Sequence, residues 1–239
     1  MLKLLDLFSG IGGFSLGLER TGGFETVAFC EIDPFCQKVL RKHWPHVRQY
    51  TDIKTITAAQ LTADGITVDA ICGGFPCQDI SLAGGGAGMG EGTRSGLWSE
   101  YARLIGELRP RYAIVENVSA LLSRGLDRVL GDLAALGYDA EWHCIPASAV
   151  GAAQERERLW IIADSGQRKM RANWLCGLPQ VSRDDWQRLV HPGGNRGDYE
   201  IPNWVDRVGA LGNAVVPQIP ELIGRAILSA EAASPEEKV

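Results

Sequence analysis

The chain has 239 residues, enough for one large domain or a domain with a small lobe. Its 24 Lys and Arg against 29 Asp and Glu leave a net charge of −5, which argues against a globally basic nucleic-acid binder. No apolar run reaches the roughly 18–20 residues that span a bilayer, and charge interrupts the first apolar stretch too early for a signal peptide, so a cytoplasmic protein without membrane attachment is expected.

Apolar runs and helical periodicities alternate from the start. Leu2–Phe8 reads as a strand, followed by a glycine turn and a helix from Phe14 to Arg20. Glu25–Cys30 is a second strand, and Pro34–His43 a helix with proline in its first turn. Val68–Cys72 is an apolar strand, and Leu97–Leu108 has apolar residues at helical spacing. Ala113–Glu116 is a strand, and Leu126–Leu136 a helix stopped by Gly137. Tyr138–Ile145 and Leu159–Ala163 complete the strands, and Leu222–Leu228 is a last helix. This order implies an α/β fold with a mostly parallel sheet and helices on both faces. Residues 1–163 form the expected catalytic and cofactor-binding domain. Residues 164–208, weakly periodic and rich in Gly, Pro, Arg and Trp, read as a small irregular lobe. Residues 209–231 return to the main domain, and 232–239 are a frayed tail.

The cysteines at 30, 36, 72, 77, 144 and 176 form no C-x-x-C pair, and the four histidines complete no zinc pattern. Free thiols and no metal are expected. Charge is uneven. Residues 1–153 carry a net −4, residues 154–196 a net +3 and residues 197–239 a net −4. A phosphate-binding face is therefore expected in the middle block, although a solvated surface accounts for the same excess.

Three segments carry chemistry. Asp6-Leu7-Phe8-Ser9-Gly10-Ile11-Gly12-Gly13 links the first strand to the first helix, where glycines let the backbone turn tightly beside a ligand. Glu31 ends the second strand at a spacing suited to accept from ribose hydroxyls. The segment lacks the G-x-G-x-x-G pattern, which favours a nucleoside cofactor without a pyrophosphate. Asp52, further on, could read an adenine amino group. Next, Gly73-Gly74-Phe75-Pro76-Cys77-Gln78 puts a cysteine at the carboxyl end of a buried strand, the usual ligand-binding edge of an open α/β sheet. Cys77 is either a nucleophile or a small buried apolar residue. The run Gly84–Gly90 beyond it reads as a closing lid or a plain linker. Finally, Glu116-Asn117-Val118 ends a strand, and Gln154-Glu155-Arg156-Glu157-Arg158 sets two arginines on one face of an extended chain. A buried Glu116 could serve as a general acid, and the arginines could grip a carboxylate, phosphate or base carbonyl. A plain salt-bridge acid is the other reading of Glu116, and an exposed charged strand start accounts for the arginines equally well.

Together with Gly212-Asn213-Ala214-Val215, these motifs in this order closely resemble the cytosine-5 DNA methyltransferase family, over residues 1–163 and 209–228. The resemblance implies a Rossmann-like fold, S-adenosyl-L-methionine as methyl donor and double-stranded DNA as substrate. It implies catalytic roles for Cys77, Glu116, Arg156 and Arg158. A cofactor pocket is implied at Phe8, Ser9, Gly10, Ile11, Gly12, Gly13, Glu31, Ile32, Asp52, Ile53, Pro76, Asn213 and Ala214. DNA contacts are expected at Gln78, Ser81, Arg94, Arg168, Lys169, Arg171, Arg183 and Arg188, with Arg196, Trp174 and Trp186 nearby. The family usually carries a sizeable target-recognition region; here residues 164–208 alone fill that interval, as in short phage-type members, and Ile201–Arg207 resembles a reduced orienting motif. A role in restriction-modification or phage DNA protection, a cognate restriction endonuclease and a monomeric state follow as expectations. Methylation of transfer RNA by a related fold, and a non-catalytic DNA-binding relic, are the competing readings.

Overall fold

The computed structural model describes residues 1–76, 97–152, 155–166 and 214–233. Seven strands form one sheet in the order β3-β2-β1-β4-β5-β7-β6. β1 (Leu2–Leu7) is central, and Leu4, Leu5 and Leu7 are all fully buried. A strand covered on both faces must be apolar along its length, which is why this run shows little alternation. β1 pairs in parallel with β2 (Phe24–Cys30) and with β4 (Ala70–Gly74). β3 (Arg48–Tyr50) adds in parallel to β2, and β5 (Tyr112–Val118) to β4. β7 (Glu157–Asp164) runs antiparallel to both β5 and β6 (Asp139–Pro146). It is the one reversed strand, so the expectation of a mostly parallel sheet holds.

Helices cover both faces. α1 (Gly13–Glu19) and the last described helix, α7 (Gln218–Ala233), lie on one face, where Phe14, Leu18, Trp160, Ile219, Ile223 and Ile227 form a core. α4 (Leu97–Leu108) and α6 (Leu126–Ala135) cover the other, with Trp98, Tyr101, Leu104, Val129 and Leu133. α7 sits very close to α1. A Cβ on Gly17 would stand 2.1 Å from the carbonyl oxygen of Pro217, and one on Gly13 2.6 Å from that of Val215. α2 (Pro34–His43) has the span expected from its proline start, with Asp33 accepting from the N–H groups of Phe35 and Cys36.

The structure adds elements that periodicity did not reveal: β3, α3 (Ala58–Ala63) and a short α5 (Leu121–Arg124). β3 is three residues long with no apolar run, and only its pairing with β2 makes it a strand. The last helix is longer than Leu222–Leu228, and β4 runs two residues past Cys72, to Gly74. Among the described residues no helix is long and apolar enough to cross a membrane.

Candidate active site

The carboxyl ends of β1, β2, β4 and β5 and the start of β7 bring the expected residues together. Gly74 is opposite Glu116 on β5, and Glu116 is opposite Trp160 on β7. Directly opposed residues share a face, so Gly74 and Glu116 face the same way. Val118 is opposite Arg158, which places the arginine one step above the glutamate. The Nε of Arg158 lies 3.1 Å from Oε1 of Glu116, and its Nη1 donates to the carbonyl of Glu157 at 2.9 Å.

Burial pushes the Glu116 carboxyl above the ordinary carboxylate range, while the charges of Arg158 and Arg156 pull it back down. The outcome is a raised value in spite of two guanidinium neighbours. A carboxyl so placed holds a proton to higher pH than an exposed glutamate, which is what a proton donor near neutrality requires.

Gly74 makes room for this carboxyl. A Cβ there would lie 2.6 Å from Oε2 of Glu116. Its neighbour Gly73 passes as closely under β1, where a Cβ would meet the carbonyl oxygen of Leu7 at 2.2 Å. The buried Asn117 side chain donates from Nδ2 to the carbonyl of Phe75 at 3.0 Å and accepts from the Val118 N–H at 2.9 Å. The segment ending at Pro76 is thus fastened to the strand that carries Glu116. Beneath it, Phe75, Trp98, Tyr101 and Phe8 make successive ring contacts at 5.5, 5.5 and 6.4 Å. This aromatic row joins the loop after β4 to the turn after β1.

That turn is held in an unusual backbone shape. Phe8, Gly10 and Gly12 have φ of 53°, 53° and 85°. Gly12 has the indole of Trp44 against it, so an added Cβ would stand 2.7 Å from the ring. The space above Gly10 is open, with nothing within 4 Å of an added Cβ. Glu31 accepts from the Gly10 N–H at 2.6 Å and, with its other oxygen, from the Asp33 N–H at 2.8 Å. It therefore shapes the turn as well as facing it. A carboxylate has about four acceptor positions, so ribose hydroxyls can still bind it. Ile32 is 74% exposed, an apolar surface beside the turn of the kind a flat aromatic base covers. Asp52 is half-buried and caps the next 3₁₀ turn by accepting from the Lys54 N–H at 3.0 Å. The residues present thus fit a nucleoside cofactor: an open glycine turn, an acid at the second strand end and an exposed apolar side chain.

Ser9 faces inward, donating from Oγ to the Asp6 carbonyl at 2.6 Å, and Ile53 is buried in the core rather than facing a pocket. Gly13 opens α1, while Ile11, Pro76 and Ala214 are half-buried. Cys77, Gln78, Ser81, Arg94, Gln154, Arg168, Lys169, Arg171, Arg183, Arg188, Arg196 and Asn213 lie outside the described residues, as do the 84–90 glycine run, Trp174, Trp186 and Ile201–Arg207.

Asp6 and Arg103 shape the site without having been singled out. Asp6 is fully buried, and its Oδ2 accepts from the Ser15 hydroxyl at 2.7 Å and the Ser15 N–H at 3.3 Å, anchoring α1 from the strand below. Arg103 reaches from α4 to the carbonyls of Ile53 and Ile56 at 3.1 and 3.0 Å. A buried acid inside an apolar strand was a readable signal for Asp6. Arg103 offered none.

Comparison with known proteins identifies the family and the fold. The family model for C-5 cytosine-specific DNA methylase matches residues 2–190. The chain is 36% identical over 170 residues to the Type II methyltransferase M2.BsuMI of Bacillus subtilis, covering 68% of this chain and 42% of that one. It is 38% identical over 165 residues to the Type II methyltransferase M.Eco47II of Escherichia coli, covering 67% and 39%. The chain thus spans about two-fifths of the length of these curated relatives. Among solved structures, an E. coli prophage protein described as a DNA modification methyltransferase superposes with a TM-score of 0.64 at 24% identity, covering 84% of this chain and 56% of that one. Spodoptera frugiperda DNMT2 superposes with 0.59 at 21%, covering 72% and 54%. At such identities the superpositions establish a shared fold.

Proposed function

The chain belongs to the C-5 cytosine-specific DNA methylase family, and from that premise we propose that it is a DNA (cytosine-5-)-methyltransferase acting on double-stranded DNA. The observation that carries the reading is the Glu116 carboxyl, only 12% exposed, paired with Arg158 at 3.1 Å and set against the Gly74–Pro76 segment that leads into Cys77. A nucleophile, a proton donor and a cationic partner are the parts needed to activate C5 of cytosine.

The target base leaves the stack, because its ring cannot be attacked inside the duplex. Cys77 thiolate then bonds to C6. Glu116, as the carboxylic acid, donates its proton to N3, so the pair displaced from the C5–C6 double bond forms a C4–C5 enamine that is nucleophilic at C5, without a full negative charge on the ring. Arg158 has five N–H groups. Those not engaged with Glu116 and Glu157 meet the base carbonyl and stabilise charge as it develops. Arg156 adds positive potential at Glu116. After methylation a base takes the C5 proton, the C5–C6 double bond re-forms, Cys77 leaves as thiolate, and the N3 proton returns to Glu116.

S-adenosylmethionine, when bound, supplies an electrophilic methyl group on a sulfonium. Phe8, Gly10 to Gly13, Glu31, Ile32, Asp52, Pro76, Asn213 and Ala214 would hold it; Ser9 and Ile53, turned into the core, would not. Glu31 would accept from the ribose hydroxyls, Ile32 would cover the adenine, and the open turn at Gly10 would leave room for the remainder. Residues 164–208 carry target recognition, with Gln78, Ser81, Arg94, Arg168, Lys169, Arg171, Arg183 and Arg188 meeting DNA. The monomer works beside a cognate restriction endonuclease, or protects phage DNA.

The test uses labelled S-adenosylmethionine with mixed-sequence duplex DNA or with transfer RNA. Label should enter DNA alone. Cys77→Ser should abolish transfer while cofactor binding persists, since a hydroxyl is a far poorer nucleophile than a thiolate. Transfer to RNA alone, or turnover by the serine variant, would show the reading to be wrong.

A further inference from the structure

The structure gathers on one edge of the sheet a basic surface apart from the catalytic strand ends. Residues 34–54 form α2, β3 and the 3₁₀ turn after it. They hold five Lys and Arg against one acid, a net +4, while the rest of the chain carries −9. On α2 the buried residues are Cys36 and Leu40. Lys38, Arg41 and Lys42 share the opposite face at helical spacing, and all three are exposed. Arg48 on β3 and Lys54 in the following turn are exposed as well. His43 and His46, both exposed, lie between them in the chain.

Lys38, Arg41, Lys42 and Lys54 form no ion pair among the described residues. The nearby acids are engaged. Asp33 caps α2, and Asp52 caps the turn. Glu31 accepts from Gly10 and Asp33, and Asp64 stands 3.5 Å from Arg48 while accepting from the Tyr50 hydroxyl. The α2 dipole favours cations in its last turn. That accounts for Arg41 and Lys42, but not for Lys38 in mid-helix nor for Arg48 and Lys54 on the next elements.

We propose that this α2–β3 edge is a second DNA-contact surface, gripping duplex phosphates outside the target site; the inference rests on the reading of the chain as a DNA enzyme. β3 lies four strand spacings from β5, which carries Glu116, so at about 4.8 Å per strand the strip stands at least about 19 Å from the target base. Six base pairs at about 3.4 Å each cover that distance. A duplex of 12 base pairs centred on the target ends at or short of the strip, whereas one of 40 base pairs is long enough to cross it. Charge complementarity favours DNA. In a chain whose other residues carry a net −9, a strip with four of its five cations out of ion pairs among the described residues offsets the repulsion that a polyanion meets elsewhere.

The experiment measures fluorescence anisotropy of labelled 12- and 40-base-pair duplexes across a salt series. It compares the wild-type chain with the triple variant Lys38→Glu, Arg41→Glu, Lys42→Glu and with the milder triple glutamine variant, which keeps the test usable if charge reversal impairs folding. The charge-reversed variant should bind the 40-base-pair duplex at least tenfold more weakly, with the salt slope reduced by about 2–3, at about 0.9 per lost phosphate contact. Affinity for the 12-base-pair duplex should change less than twofold. Equal binding of the long duplex, whether the strip meets an acidic protein or only water, overturns the proposal. So does an equal loss on both lengths, or failure of the wild-type chain to bind either duplex. Methyl transfer into the 12-base-pair duplex reports the functional reading separately. Length-dependent binding without any transfer would sink that reading and leave the strip standing.

Discussion

Replacing Gly74 by alanine perturbs the site by one methyl group. The Cβ would stand 2.6 Å from Oε2 of Glu116, 3.5 Å from its carbonyl oxygen and 3.7 Å from Cδ. Ordinary contact begins near 3.4 Å, so the carboxylate must retreat by about 0.8 Å. It cannot do so freely, because Oε1 is held by Arg158 and the side chain is only 12% exposed. Misplacing a catalytic group by about 1 Å can cost about 100-fold in rate, which is about 2.7 kcal/mol of barrier. The strain itself should destabilise the fold by about 1–3 kcal/mol, a fall of several degrees in melting temperature. Initial rates at saturating DNA and S-adenosylmethionine, a melting curve and a cofactor titration together separate the effects. Turnover should drop by about two orders of magnitude while cofactor affinity holds. A Gly74→Ala protein within threefold of wild-type turnover would refute the claim that Glu116 needs this position.

Asn117→Ala strips the buried Phe75 carbonyl and Val118 N–H of their partner, at about 1–3 kcal/mol; a urea midpoint that does not move would contradict the fastening role. Asp6 has its carboxyl pushed up from 3.8 to about 7, chiefly by burial. A raised folded value means that the associated stability is complete below the unfolded value and lost as pH rises through the folded one. Between about pH 4 and pH 7 the wild-type chain should therefore lose a few kcal/mol relative to Asp6→Asn, and parallel curves from chemical denaturation would rule this out. Gly131 lies within α6 with nothing within 4 Å of an added Cβ, so Gly131→Ala should stabilise by about 1 kcal/mol and raise the melting temperature, with methyl transfer unchanged. A lowered melting temperature would mean that the helix surface there is not open.

The family was legible because its motifs are short and contiguous. The glycine turn, Gly-Phe-Pro-Cys, Glu-Asn-Val and Arg-x-Arg each form within a few residues, and the alternation of apolar strands and helices fixed the fold class and the carboxyl edge. Pro34 and Asp33 even set the start of α2, since helix capping is local. What the sequence could not determine was which side chains meet. The reversal of β7, which brings Arg158 beside Glu116, depends on pairing between segments about 40 residues apart. The need for glycine at position 74 comes from the Glu116 carboxyl across the strand pair. Likewise, the capping of α1 by Asp6 crosses nine residues, and the Phe75–Trp98–Tyr101–Phe8 row joins three segments. The basic edge stayed hidden because averaging charge over residues 1–153 cancels it. Only folding separates the exposed face of α2 from the acids around it. Local propensity and motif chemistry act along the chain, whereas proximity, burial and the shifted carboxyls are properties of packing in three dimensions.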